Sequence, residues 1–225
     1  MSISKRLPLA LLLAPPVLAG LLAGCHKENE ITAVGGTIGQ EVQRTSCPAV
    51  GVPAYAGDIT LFDPPASRDA RAIDVAADIT DVKASCDESD PAQPRLTSVV
   101  SFRVDARRSN AHGARDLVLP YFGVVLHGGT AVSSKSISRV SLHFDDGKLT
   151  ASATGQATGT VSRADATLPD NIRARLIRKR TANDADASVD PMADPSVRAA
   201  LAKASFDLLV GFQLTPEQLA YNATR

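Results

Sequence analysis

The chain has no tryptophan, three tyrosines and six phenylalanines among its 225 residues. Modules that recognise sugars by stacking rings on them carry more aromatic surface than this, so a carbohydrate-binding reading is weakened. Charge of one sign is also missing. The 24 Lys and Arg balance 24 Asp and Glu, which leaves no global field to attract nucleic acid. No long apolar run reaches the roughly 20 residues of a membrane-spanning helix. The one candidate, Leu7 to Leu22, is interrupted by Pro8, Pro15 and Pro16. Catalytic signatures are absent: no His-Glu-x-x-His, no Gly-x-Ser-x-Gly and no Gly-rich phosphate loop ending in Gly-Lys. The four histidines, His26, His112, His127 and His143, are not spaced as helical metal ligands. No motif calls for a cofactor. The acidic stretch Asp184 to Asp190 fails as an EF-hand loop. That loop needs Gly sixth and Glu twelfth, and Val189 and Pro195 stand there. It reads as a solvated loop, with a calcium site of another kind as the alternative.

What is present begins at the N-terminus. Lys5 and Arg6 precede the apolar run, and Leu22-Ala23-Gly24-Cys25 follows it. Charge, apolar core and small residues before a cleavage point form the layout of a secretory signal peptide. With the Cys directly after the small residues, the segment resembles the lipobox of bacterial lipoproteins. The resemblance implies removal of residues 1–24 and acylation of Cys25, which becomes the first mature residue and the membrane contact. Acyl chains contribute about 0.8 kcal/mol per buried CH₂, and lipoproteins of this type carry three chains, so anchoring is stable. In Gram-negative lipoproteins an Asp after the Cys signals retention in the inner membrane. His26 stands there, which implies the outer membrane, facing the periplasm. The mature part resembles uncharacterised Gram-negative envelope lipoproteins in general character.

The mature chain keeps 201 residues, with 22 basic against 24 acidic. That is enough for one good-sized domain. With Cys25 committed to lipid, Cys47 and Cys86 remain in an oxidising compartment where disulfides persist. A bridge between them closes a loop of about 40 residues, worth roughly 4 kcal/mol in the chain-entropy account. A pair of buried thiols is the alternative. Residues 25–46 read as the lipidated Cys and a polar, flexible tether, with Gly35-Gly36 breaking periodicity.

Residues 47–165 carry period-two alternation in short runs: Asp58 to Phe62, Ala72 to Val82, Leu96 to Ala106 and Ile137 to Phe144. Leu117 to Leu126 is nearly all apolar and reads as a central strand. Asp145-Asp146-Gly147-Lys148 is a tight turn. Leu149 to Val161 is a weaker Ala/Thr/Ser strand, with Gly155 and Gly159 as candidate bulge positions. The rhythm resembles small immunoglobulin-like modules, so the expected class is α+β: an antiparallel Ig-like sandwich with two or three C-terminal helices. A small barrel with a helical tail is the alternative.

Residues 166–225 are expected to form that helical tail, packed on the sandwich. Thr167 reads as the N-cap of a first helix running through Lys179. Asp194-Pro195 opens a second, whose stripe Val197, Leu201, Ala204, Leu208 and Phe212 predicts one long helix. Thr215-Pro216-Glu217-Gln218 repeats the capping pattern. Arg173, Arg175, Arg178, Lys179 and Arg180 form the one dense basic cluster, with Arg163 upstream. It is a candidate contact for an acidic partner or an anionic surface. Complementing a helix dipole and the following acidic loop is the plainer account.

These features point to a non-enzymatic, lipid-anchored binding or accessory module of the cell envelope, with an envelope protein as candidate partner. A periplasmic hydrolase and a small-ligand or lipid-binding lipoprotein are the alternatives. Replacing Cys25→Ser is expected to move the protein out of the membrane fraction of lysed cells. Unchanged fractionation would overturn the lipoprotein reading.

Overall fold

The computed structural model describes residues 33–34, 37–38, 45–178, 183–185 and 188–225. The signal peptide, Cys25, most of the tether, Lys179 and Arg180 lie outside the described residues. The chain divides into a unit of residues 1–41 and a unit of residues 42–225. Within the first, β1 (Ala33–Val34) pairs antiparallel with β2 (Thr37–Ile38).

The second unit is α+β, with two four-stranded sheets facing each other. One holds β4 (Asp58–Phe62), β5 (Ile73–Cys86), β6 (Arg95–Arg108) and β9 (Thr150–Ser162), side by side in that order and all antiparallel. The other is ordered β3 (Ala49–Gly51), β10 (Phe206–Phe212), β7 (Arg115–His127) and β8 (Ala131–Phe144). Among the described residues only β3 and β10 run parallel. β8 and β9 are consecutive through the Asp145–Lys148 turn and come together there without forming a ladder. The sandwich therefore curls on that side like half a barrel. Gly147, at φ 76°, supplies the left-handed residue of the turn.

Alternation explains the core. Leu96, Val100, Phe102, Val104 and Ala106 point inward from β6 and meet Leu119, Tyr121 and Val125 of β7 and Leu208, Val210 and Phe212 of β10. Tyr121 meets Phe102 edge-on at 5.0 Å and donates its hydroxyl to the Gln156 carbonyl at 2.7 Å. β9 turns small residues inward and hydroxyls outward. A Cβ at Gly155 would lie 2.4 Å from Cζ of Phe102, so the Phe102 ring fills the space that a larger β9 residue would take. The β9–β6 register runs unbroken from Thr150 to Ser162, with no bulge at Gly155 or Gly159.

Three departures from the sequence expectations have local causes. The predicted long helix is two elements. α3 (Pro195–Lys203) ends where Ser205 Oγ bonds back to Leu201 O, and 206–212 is strand β10, an interior strand of its sheet. Phe206 to Phe212 also fits period two, and pairing with β7 buries Leu208, Val210 and Phe212 completely. The tail therefore contributes a core strand as well as helices. Thr167 is not the cap of α2 (Asp170–Ile177); its hydroxyl instead donates to Arg163 O, behind the short α1 (Arg163–Ala166). β8 starts at Ala131, not Ile137. α4 (Pro216–Thr224) does carry the Thr215/Gln218 capping box. It packs Tyr221 edge-on against Phe62, while Asn222 donates to the carbonyls of Tyr55 and Asp58. Leu168 and Ile172, before and within α2, make a small core of their own with Val197 and Ala204. Among the described residues no helix is long and apolar enough to cross a membrane.

Cys47 and Cys86 are joined, with Cα atoms 6.2 Å apart, tying the segment before β3 to the end of β5. Replacing both by Ala is expected to lower unfolding stability by roughly 4 kcal/mol. Chemical denaturation of the purified domain under non-reducing conditions checks this. A midpoint equal to that of the parent would show that the bridge constrains nothing.

Candidate functional site

Polar chemistry gathers at five places in the second unit. At the end where the β6–β7 and β8–β9 connections cross between the sheets, Arg108 closes β6 and is only 2% exposed. Its guanidinium donates to four backbone carbonyls, those of Ala111, Gly113, Asp145 and Lys148, at 2.8–2.9 Å. It also sits 5.2 Å above the buried Phe144 ring. Beside it, Arg115 of β7 holds both oxygens of Asp74 of β5, at 2.8 and 2.7 Å. The Arg115 hydrogen bond keeps the Asp74 carboxyl below its ordinary value, and Asp74 in turn raises Arg115.

That ion pair lines a cleft of about 810 Å³ together with Phe62, Arg68, Thr215 and Glu217. The hydrolase alternative requires a free acid or base in such a place. Asp74 does not provide one, because both its oxygens are occupied and its proton is easily lost. A second cleft, of about 670 Å³, lies at Pro91, Pro94, Arg163 and Leu168. There Arg163 donates to the carbonyls of Gln93, Asp90 and Glu88. Arg163 thus belongs to the loop that the disulfide also anchors, not to a basic docking patch.

The predicted basic cluster is partly consumed within the chain. Arg173 pairs with Asp170 on its own helix. Arg175 pairs with Asp194, the N-cap of α3, and reaches Ser196. Arg175 and Ser196 hold the Asp194 carboxyl well below the usual range. Neither partner lies in the Asp184–Asp190 stretch; Asp170 stands on the same helix and Asp194 caps the next one. Arg178 also has a partner of its own.

The histidines are dispersed. His127 stacks on Phe206 with ring centres 4.6 Å apart and contacts Lys203 O. His143 is bonded to Asp116 at 2.6 Å, which raises its pKa. His112 lies in the β6–β7 connection, its backbone N–H on Asn110. Among the described residues no set of three His, Cys, Asp or Glu side chains is placed to hold a metal ion. The outer face of the β4–β9 sheet carries Asp58, Asp78 and Asp105 in one row. Asp58 is paired with Arg225. Asp105 accepts from Ser152, Thr80 and Arg103, which hold it down at about 2. Asp78 is raised by burial and by Asp105.

The fifth place is β8. Every residue from Ala131 to Arg139 is exposed, and β7 is its only ladder partner among the described residues. Comparison with known protein families, with curated proteins and with solved structures finds no match to this chain.

Sequence reasoning located the disulfide and the basic cluster. It missed Arg108, the Asp74–Arg115 pair and the first half of β8. Asp74 and Arg115 lie 41 positions apart, and nothing in the sequence joins them before the sheets pack.

Asp105 sets the sign of an acid response. Its folded value lies below its unfolded one, so its contribution is present above about pH 4 and is lost as pH falls towards about 2. Asp105→Asn is expected to flatten the loss of stability over that interval. Urea midpoints measured against pH check it. Curves that stay parallel to the parent down to pH 2 would show that the Ser152, Thr80 and Arg103 contacts do not form in solution.

Proposed function

We propose that this protein is a lipid-anchored accessory binding module of the cell envelope. Acylated Cys25 holds it to the outer membrane and the tether to residue 46 lets the domain stand off the periplasmic face. The sandwich is used as a rigid platform of Ig-like layering. Its strand order, with β4, β5 and β6 as consecutive neighbours in one sheet, is its own. Two features of the domain support a platform over a reaction vessel. Three charged groups that line its clefts, Arg115, Asp74 and Arg163, are spent on one another or on internal carbonyls. Where the sheets meet at Gly155, the Phe102 ring leaves no room for a ligand, which weighs against a lipid or small-molecule pocket there.

The observation that carries the reading is the contrast with β8, nine consecutive exposed strand residues, Ala131 to Arg139, whose only ladder partner among the described residues is β7. An exposed strand edge of that length is surface for a partner.

In-cell crosslinking of the full-length protein, followed by affinity purification and mass spectrometry, tests this. One partner recovered at near-equal stoichiometry is the expected result. No reproducible partner would overturn the accessory reading and leave lipid, glycan and small-molecule screens as the next step.

A further inference from the structure

β8 is an edge strand in the literal sense. From Ala131 to Phe144 it pairs with β7 on one side. No backbone hydrogen bond leaves its other side among the described residues. Near the Asp145–Lys148 turn, β9 runs beside it, but β9 follows β6 and the Ala131–Arg139 half is left alone. A free edge of this length offers alternating N–H donors and carbonyl acceptors to another extended chain.

The side chains say what kind of chain fits. Val140, Leu142 and Phe144 point into the core, so Ser134, Ser136 and Ser138 share the inner side. Lys135, Ile137 and Arg139 point outward, opposite Val124, Phe122 and Pro120 of β7. Ile137 is 61% exposed and Val132, on the same face after a register shift, 64%. Lys135 lies over the Phe122 ring at 5.1 Å, and neither it nor Arg139 has a carboxylate partner among the described residues. β8 itself contains no Asp or Glu. The acids on this face are Asp116, already bonded to His143, and Asp207 across the sheet.

A second copy of this chain suits the edge poorly. Antiparallel pairing of two β8 strands centred on Ile137 would set Lys135 against Arg139 twice, and like charges directly opposite are unfavourable. Opposite charges at those places are favourable.

We propose that β8 docks an extended segment of a partner protein by strand addition. That segment carries acid, any residue, apolar, any residue, acid, its acids facing Lys135 and Arg139 and its apolar residue covering Ile137. The proposal rests on the reading of the protein as a binding module.

The test uses the full chain and a synthetic peptide with the core Glu-Thr-Val-Thr-Glu. The peptide is expected to slow amide hydrogen exchange over residues 131–139 and to bind more weakly as salt rises. Lys135→Glu with Arg139→Glu, both on exposed positions, is expected to weaken binding on the order of tenfold with an unchanged circular dichroism spectrum. Methylating the peptide backbone nitrogens is expected to abolish binding. Four results would overturn the proposal. They are no slowing of exchange, equal binding by the methylated peptide, protection that grows with protein concentration alone (a second copy), or protection by phosphatidylglycerol vesicles and not by the peptide (a membrane). Failure here leaves fractionation of Cys25→Ser and the crosslinking outcome untouched, so the edge and the module reading fail separately.

Discussion

One buried cation closes the sandwich. Two connections cross between the sheets at the same end, residues 109–114 leading into β7 and the turn at Asp145–Lys148 leading into β9. Neither has secondary structure of its own, and a carbonyl turned inward there needs a donor. Arg108 supplies donors to four of them from a single side chain, two on each connection. Further hydrogen bonds knit the two connections directly, Gly113 N–H to Asp146 and Gly147 N–H to Ala111 O. Removing the guanidinium would take the donor from the Gly113 and Lys148 carbonyls, while Ala111 O keeps Gly147 N–H and Asp145 O keeps Lys148 N–H. The Phe144 ring beneath the guanidinium and Asp74 beside it are the remaining electrostatic partners of a charge that is otherwise costly to bury.

This knot sets the geometry of the rest. It fixes β8 and β9 together at one end, while their ladders commit them to different sheets. β9 follows β6 for thirteen residues and β8 follows β7. The strands must separate as they leave the turn, and the first half of β8 has no second neighbour. At the opposite end the disulfide and Arg163 play the corresponding part for the 87–94 loop. The open stretch of β8 is thus a consequence of how the two sheets are joined.

Patterning exposed the half-buried strands β4, β5 and β6 because alternation is the signature of a strand with one wet face. Capping chemistry placed Asp194 and Thr215 for the same reason: the side chains that satisfy orphan N–H groups act locally. The failures share a cause. Val197, Leu201, Ala204 and Leu208 fit a helical stripe, while Leu208, Val210 and Phe212 fit a strand equally well. What decides between them is β7 and β3 lying on either side of β10. A short apolar run cannot announce that neighbour. Ala131 to Ser136 fails differently. Its serines face inward where nothing packs, so no apolar alternation marks it, and it is held as strand only by its ladder with β7. Arg175 shows the limit for sites. Read along the chain it belongs to a basic run; in the fold it belongs to Asp194, 19 residues away.

The same accounting separates the clefts from the edge as places for function. A recognition site needs groups whose best partner is not already in the molecule. In the cleft beside α4, Arg115 and Asp74 satisfy one another in a two-pronged contact, and a ligand there would have to offer more than each already has. Arg163 and Arg108 are likewise engaged by backbone carbonyls. β8 is the reverse case. Its outer backbone groups have no protein partner among the described residues, Lys135 and Arg139 lack carboxylates there, and Ile137 and Val132 stay exposed on a face where Phe122 already offers an apolar neighbour. Exchanging water for an acidic extended chain would pair the backbone, neutralise two charges and dry apolar surface in one event. No other described part of the surface combines those three gains.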